Sequence, residues 1–198
     1  MPRPVLEIRP LTPSRFRDLE RLFNAPGGSQ VRGCWCMYYR RSGKSEVPKG
    51  ASRAEHARCS LKALVDGGTV PGLIGYRDGE PVGWVSLGPR EDYAKLARSP
   101  VMKPVDDKSV WSVVCFYTAK RARGQRVSEA LLSGALDYAR ACGARLIEAY
   151  PVDRAKRSPD DSMWFGCKAM YDRAGFAEIA RRKPTRPVMR KALRPKRG

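Results

Sequence analysis

The stretch Val110-Trp-Ser-Val-Val-Cys-Phe-Tyr-Thr-Ala-Lys-Arg-Ala-Arg-Gly-Gln-Arg-Val-Ser-Glu-Ala-Leu-Leu132 decides the fold. Residues 110–117 are almost continuously apolar, the pattern of a strand covered on both faces. From Val127 to Cys142 apolar residues recur at helical spacing (Val127, Leu131, Ala135, Tyr138, Ala139, Cys142), with Glu129, Ser133, Asp137 and Arg140 on other faces. Gly143 stops the run. Arg145-Leu-Ile-Glu-Ala-Tyr150 then reads as a second strand, ended by Pro151. Strand, helix and strand in succession predict a parallel crossover.

The intervening loop, Ala119-Lys-Arg-Ala-Arg-Gly-Gln-Arg126, is basic and contains a glycine. The first N–H groups of a helix lack intrahelical partners and its dipole favours negative charge, so a basic loop feeding a helix suits a phosphate-bearing ligand. The loop matches neither the Walker A pattern nor Gly-x-Gly-x-x-Gly, and an ordinary basic strand-to-helix loop carries the same signal.

Working outward, Val5-Leu-Glu-Ile-Arg9 reads as a half-buried strand, and Thr12-Pro-Ser14 opens a helical pattern through Phe16, Leu19, Leu22 and Phe23. Residues 25–52 read as a long surface segment interrupted by the aromatic cluster at 35–39, and His56 to Val65 as a short helix stopped at Gly67-Gly68. Gly72–Tyr76 and Pro81–Leu87 flank Arg77-Asp-Gly-Glu80, a hairpin signal because its turn needs positive φ. Glu91 to Arg98 suits a helical turn, Met163 to Ala174 a helix closed by Gly175, and 176–180 and 187–190 terminal strands.

A chain of 198 residues predicts one domain, placed at 1–191, with a basic tail at 192–198. No apolar run is long enough to cross a bilayer, and the first ten residues hold no apolar stretch behind their charges, so a cytoplasmic address is expected and no membrane partner. In that reducing setting the six cysteines (34, 36, 59, 115, 142, 167) are expected as free thiols. Zinc held by Cys34, Cys36, His56 and Cys59 is the sharper alternative, but Cys-x-Cys does not meet the usual zinc spacing, and no metal is expected. His56 otherwise reads as a surface residue.

The net charge is +19, and the last 18 residues carry nine cations and no acid. The tail reads as solvated and the body remains basic, which suits acidic ligands, a nucleotide-bearing cofactor or RNA.

Arg123-Gly-Gln-Arg-Val-Ser-Glu-Ala-Leu-Leu132 resembles the signature Arg/Gln-x-x-Gly-x-Gly/Ala of the GNAT superfamily of acyl-CoA-dependent N-acetyltransferases, which follows the fourth strand and leads into a helix with paired leucines. The match runs through Arg123, Val127, Leu131 and Leu132. Arg126 stands where the family has Gly, and Ser128 where it has Gly or Ala. Tyr171-Asp-Arg-Ala-Gly-Phe176 resembles the family's Tyr-x-x-x-Gly-Phe, and the element order is similar over residues 5–191. Cys34-Trp-Cys-Met-Tyr38 and Glu148-Ala-Tyr-Pro-Val-Asp153 look like a bacterial subgroup. The resemblance implies an α/β (α+β) fold: a mixed, mostly antiparallel sheet of six to seven strands flanked by helices, with the parallel strand-helix-strand unit at the cofactor site. It implies acetyl-CoA as co-substrate, gripped by the backbone of Phe116, Tyr117 and Thr118 and by a cradle of Arg123, Gly124, Gln125, Arg126, Val127, Ser128 and Glu129. It also makes Tyr171 the acid that protonates the departing thiolate.

Acyl transfer to an amine needs a neutral amine, a donor for the oxyanion and a proton for the thiolate. Glu148 sits in an apolar run where burial raises a carboxylate toward a useful base; pairing with a core arginine is the other reading. Tyr171 also reads as a half-buried helix aromatic. Cys115 lacks a second histidine to activate it as a nucleophile and reads as a packed thiol. Residues 154–164 and 35–39 are the expected substrate walls. The expected activity is acetyl transfer from acetyl-CoA to a primary amine of a small molecule or peptide by direct attack. A non-catalytic acyl-CoA-binding or RNA-binding module is the alternative; nucleic acid is compatible with the charge without being favoured, and a homodimer is left open.

Overall fold

The computed structural model describes residues 6–42, 47–154 and 163–194. Seven strands form one sheet: β1 (Glu7–Pro10), β2 (Gly72–Arg77), β3 (Glu80–Pro89), β4 (Trp111–Thr118), β5 (Leu146–Ala149), β6 (Ala177–Lys183) and β7 (Arg186–Ala192), in the order β1-β2-β3-β4-β5-β7-β6. All neighbours run antiparallel except β4 and β5, which pair in parallel from Trp111↔Ile147 to Val113↔Ala149. The helices are α1 (Phe16–Asn24), α2 (Ser29–Cys34), α3 (Arg53–Asp66), α4 (Ala94–Ala97), α5 (Val127–Ala141) and α6 (Lys168–Arg173). The expected mixed sheet and its parallel unit are both present.

Local chemistry accounts for the joints. Asp78 and Gly79 take φ of 51° and 77°, the left-handed pair that a two-residue hairpin between β2 and β3 demands. Ser52 caps α3 by accepting a hydrogen bond from the Glu55 amide at 3.1 Å. α5 presents Val127, Leu131, Leu132, Ala135 and Ala139 to the sheet. Its close approach depends on glycine: a Cβ on Gly83 would lie 2.6 Å from Val127 Cγ1, and one on Gly134 2.6 Å from Ile8 Cγ2.

The sheet separates two apolar layers. On one face α5 and α6 cover Leu73, Val85, Val113, Phe116, Ile147 and Met189. On the other, α1, α2 and α3 cover Ile74, Tyr76, Trp84 and Tyr117, with Phe23 edge-on to both Trp84 and Tyr117. A second cluster on that face joins Tyr93, Leu96 of α4, Val114, Tyr150, Phe165 and Val188. The β3–β4 register shifts between Ser86↔Cys115 and Leu87↔Val113, so Val114 is an extra residue and β4 bends away from β5 where the short β5 ends.

The structure sharpens three expectations. Most described residues of 25–52 are exposed or half-buried, as a partly ordered surface segment would be; within it 29–34 form α2, and the interrupting cluster puts Trp35, Cys36 and Met37 in the core beneath α1. The helix expected from Met163 begins only at Lys168; Met163–Gly166 is a turn closed by Gly166 N–H to the Met163 carbonyl at 2.7 Å. Most of the basic end belongs to the sheet. β6 and β7 absorb it through residue 192 and Leu193 is buried, while Arg182 donates to the Lys103 and Pro104 carbonyls at 2.6 and 3.0 Å. Val5, residues 155–162 of the expected substrate wall and residues 195–198 lie outside the described residues.

Candidate active site

The bend at Val114 opens a cavity of about 1110 Å³ along the β5-facing side of β4. Its size sits at the upper end of small-molecule sites, which run to about 1,000 Å³. The loop into α5 closes one end with Lys120, Arg123, Gly124, Arg126, Val127, Ser128 and Glu129. Gly27, Ser29, Gln30, Val31, Cys34, Cys36, Tyr38 and Tyr39 wall another side, and Met163, Trp164, Cys167, Met170 and Arg173 a third.

The loop end is an anion cradle. Gly124 and Arg126 both adopt left-handed φ, 74° and 58°, which turns the chain sharply into α5. The helix leaves the Val127 and Ser128 amides without intrahelical acceptors. The Glu129 and Ala130 amides already bond the Arg126 carbonyl, at 3.1 and 3.2 Å. The Arg126 side chain is 73% exposed and lies 3.8 Å from Glu129, so it points outward and leaves the turn open. Thr118 and Ser128 hydroxyls meet at 3.4 Å. Nine of the ten expected cofactor contacts line the cavity. Gln125 does not; its side chain is held by Arg77 and by the Arg121 carbonyl.

Ala119 N–H donates to Val82 across β3, at 2.9 Å. By the alternation of an antiparallel ladder, the polar backbone groups of Phe116 and Thr118 face the opposite edge. There Phe116 N–H is already donated to the Trp164 carbonyl at 2.6 Å, so the expected backbone grip is occupied at Phe116.

The two expected catalytic side chains are not brought to the cavity. Tyr171 is fully buried and donates its hydroxyl to the Phe165 carbonyl at 2.9 Å; burial pushes its pKa well up. Glu148 is fully buried, bridged by Arg90 on one oxygen and by Arg190 at 2.6 Å on the other, with Tyr150 donating to it at 3.2 Å. Arg190 continues to Asp106 at 2.7 Å, which holds that carboxyl down at about 2. Of the two readings of Glu148, the geometry matches the carboxylate paired with core arginines.

Cys36, Tyr38, Tyr39, Met163 and Trp164, from the two expected substrate walls, line the cavity, and so do Ser29, Gln30, Val31 and Cys167, which the sequence did not single out as site residues. Trp35 and Cys36 take left-handed φ of 45° and 54°, and the turn sets Cys36 Sγ under the Trp84 indole N–H at 3.2 Å. Cys34, Cys36 and Cys115 share this wall; a hydrogen bond to Cys36, then burial, pushes the Cys34 thiol up, and a hydrogen bond to Cys115 does so for Cys36. Protonated thiols of this kind pack rather than attack. Among the described residues no group of three His, Cys, Asp or Glu is placed to hold a metal, Cys34, Cys36, His56 and Cys59 included. Tyr117 is 8% exposed, and its hydroxyl has no hydrogen-bond partner among the described residues. The doubled left-handed turn carried a trace in sequence, as an aromatic and thiol cluster without period.

A family model described as "Acetyltransferase (GNAT) family" matches residues 35–176. Solved structures of similar fold include a GNAT-family acetyltransferase from Listeria monocytogenes, 12% identical over 95% of this chain and 95% of that one, with a TM-score of 0.57. An N-acetyltransferase from Staphylococcus aureus is 13% identical over 96% and 99% with a TM-score of 0.54. The PaiA N-acetyltransferase from Thermoplasma acidophilum, in complex with coenzyme A, is 13% identical over 95% and 99% with a TM-score of 0.51. At these identities the likeness is one of fold. No curated protein sequence matches the chain significantly.

Proposed function

The chain belongs to the GNAT acetyltransferase family, and from that premise we propose that it transfers an acetyl group from acetyl-CoA to a primary amine by direct attack. The observation that carries the reading is the cavity with the α5 amino terminus and four cations at its rim, running along β4 to the bend at Val114. The cradle residues fit a pyrophosphate. Val127 and Ser128 offer amides, Lys120, Arg123 and Arg126 offer charge, and the outward Arg126 side chain leaves room. Acetyl-CoA would supply the activated thioester carbonyl, and its thiol is the leaving group. The neighbour bound to coenzyme A supports this choice of donor by analogy of fold.

The residues then divide the work as follows. The Thr118 amide, on the open edge of β4, is the donor left for the acyl or pantetheine carbonyl once Phe116 is paired to Trp164. Tyr171 and Glu148 hold walls rather than protons: Tyr171 fixes the turn that carries Trp164, and Glu148 anchors β5 to Arg90 and Arg190. Glu129, the one carboxylate lining the cavity among the described residues, is engaged by Arg173 at 2.7 Å. With cations dominating the rim, a bound ammonium is disfavoured against its neutral form, which lowers the acceptor's pKa without a dedicated base. A non-catalytic module is not favoured by the family match.

The test is release of CoA thiol from acetyl-CoA across a panel of primary amines. Amine-dependent release that saturates with acceptor is expected; release no faster than hydrolysis alone, with every amine, would contradict the reading.

A further inference from the structure

Trp164 and Tyr38 are the two exposed large apolar side chains among the described residues, at 41% and 55%, and both line the cavity. Trp164 differs from the other three tryptophans. Trp35 meets Phe16 and Phe23, Trp84 meets Phe23 and Trp111 meets Tyr138, with ring centres 5.2 to 6.3 Å apart, whereas Trp164 has no ring partner among the described residues. The turn that carries it is nevertheless fixed. The Trp164 carbonyl takes the Phe116 N–H at 2.6 Å, Gly166 N–H closes onto Met163 at 2.7 Å, Val152 N–H reaches the Gly166 carbonyl at 2.9 Å, and the Tyr171 hydroxyl holds the Phe165 carbonyl at 2.9 Å. Phe165 turns inward, buried against Tyr39 and Tyr150, while its neighbour Trp164 turns to the cavity. Tyr39 carries the ring contact on to Tyr38 at 5.0 Å, so edge-to-face rings brace the two walls that bear the exposed pair. An indole on so firm a backbone, with no ring against it, is a preorganised surface for a planar partner.

Position assigns this surface to the acceptor. β4 enters the cradle loop directly after Thr118, and Trp164 is pinned to Phe116, two residues or about 6.6 Å farther from the cradle. The Thr118 amide therefore lies between the cofactor's anchor and the indole. Away from the loop, the one cation lining the cavity is Arg173, engaged with Glu129 at 2.7 Å, and Glu129 is the one lining carboxylate among the described residues. With no unengaged charge on those walls, an acceptor is held there by apolar and ring contact. Lys95 sits 3.6 Å over the Tyr38 ring, which sets a cation against any cationic acceptor at that face and leaves Trp164 as the open ring. Resting on the acetyltransferase reading, we propose that Trp164 is the stacking platform of the acceptor subsite, and that the acceptor is a primary amine carried by a short linker on a planar aromatic ring.

The experiment compares kcat/KM for phenethylamine, tryptamine, cyclohexylethylamine and spermidine, and measures the calorimetric Kd of each amine on the chain saturated with free CoA. The wild type, Trp164→Leu and Trp164→Phe are assayed, with calorimetry of CoA and a thermal melt on each. Cyclohexylethylamine matches phenethylamine in size and linker, so apolar area alone predicts no loss when the saturated ring replaces the planar one. The expected result is a preference of about threefold or more for phenethylamine over cyclohexylethylamine, in kcat/KM and in Kd, the value of one ring contact beyond its area, with spermidine poorest. Trp164→Leu is expected to abolish that preference and Trp164→Phe to retain it, both with CoA affinity within about twofold of the wild type. Both should melt within about 2 °C of the wild type, since the side chain is exposed and the backbone hydrogen bonds of the turn remain. A wild type that binds CoA but uses the planar and saturated rings equally, prefers spermidine, or uses no aromatic amine overturns the subsite. So does a Trp164→Leu chain that keeps the preference, or one that loses CoA affinity while keeping acceptor KM. Failure of the wild type to bind CoA at all is a different result: it would overturn the acetyltransferase reading itself, and the subsite with it.

Discussion

Arg126 shows how far one residue can be read. Its place in the signature is visible in sequence, and so is its departure from Gly, but not the side on which its side chain falls. The structure resolves this through the backbone: φ of 58° directs the side chain outward, where it is 73% exposed. The left-handed conformation costs an L-residue about 1–2 kcal/mol, partly offset by the lower chain entropy of any residue that replaces glycine. Arg126→Gly should therefore be stable to within about 1 kcal/mol of the wild type or better, by urea denaturation. It should also bind CoA within about threefold, since one exposed cation contributes little. A large gain in CoA affinity would mean that the natural side chain obstructs the cradle. Glu148 and Tyr171 were legible as residue types in telling places but not as partners. Arg90 and Arg190, which pair with Glu148, lie 58 and 42 positions away, and the Phe165 carbonyl that accepts from Tyr171 is a backbone atom no pattern announces.

Among elements, those with a strong period were readable. α5 and the β2–β3 hairpin fall where apolar spacing and Asp78-Gly79 put them. α2 was not, because six residues ending in a doubled left-handed turn carry no period, and α6 was shortened because the Met163–Gly166 turn is apolar enough to extend its pattern. The register of β7 was also hidden: it inserts between β5 and β6, with Arg190 opposite Glu148 and reaching Asp106. The bridge makes a prediction at this scale. Glu148→Gln leaves two guanidiniums nearly buried and half-paired, and should destabilise by about 3–5 kcal/mol in urea. Turnover per folded molecule should fall by less than about tenfold, whereas loss of a general base costs about 10²–10⁴. A catalytic loss of that size in a chain of near-normal stability would return Glu148 to the chemistry.

At the scale of the whole molecule, the +19 charge is divided by the fold rather than by the chain ends. Arg90 and Arg190 are drawn into the core network, Arg181 and Arg182 brace β6, and Lys120, Arg123, Arg126 and Arg173 ring the cavity. A basic ring round a concave site steers and holds a polyanionic ligand, and screening by salt should weaken that hold. The direct measurement is calorimetric titration with acetyl-CoA and with free CoA at low and moderate salt. The account predicts saturable one-to-one binding of both, weaker at the higher salt; no saturable binding of either would contradict it.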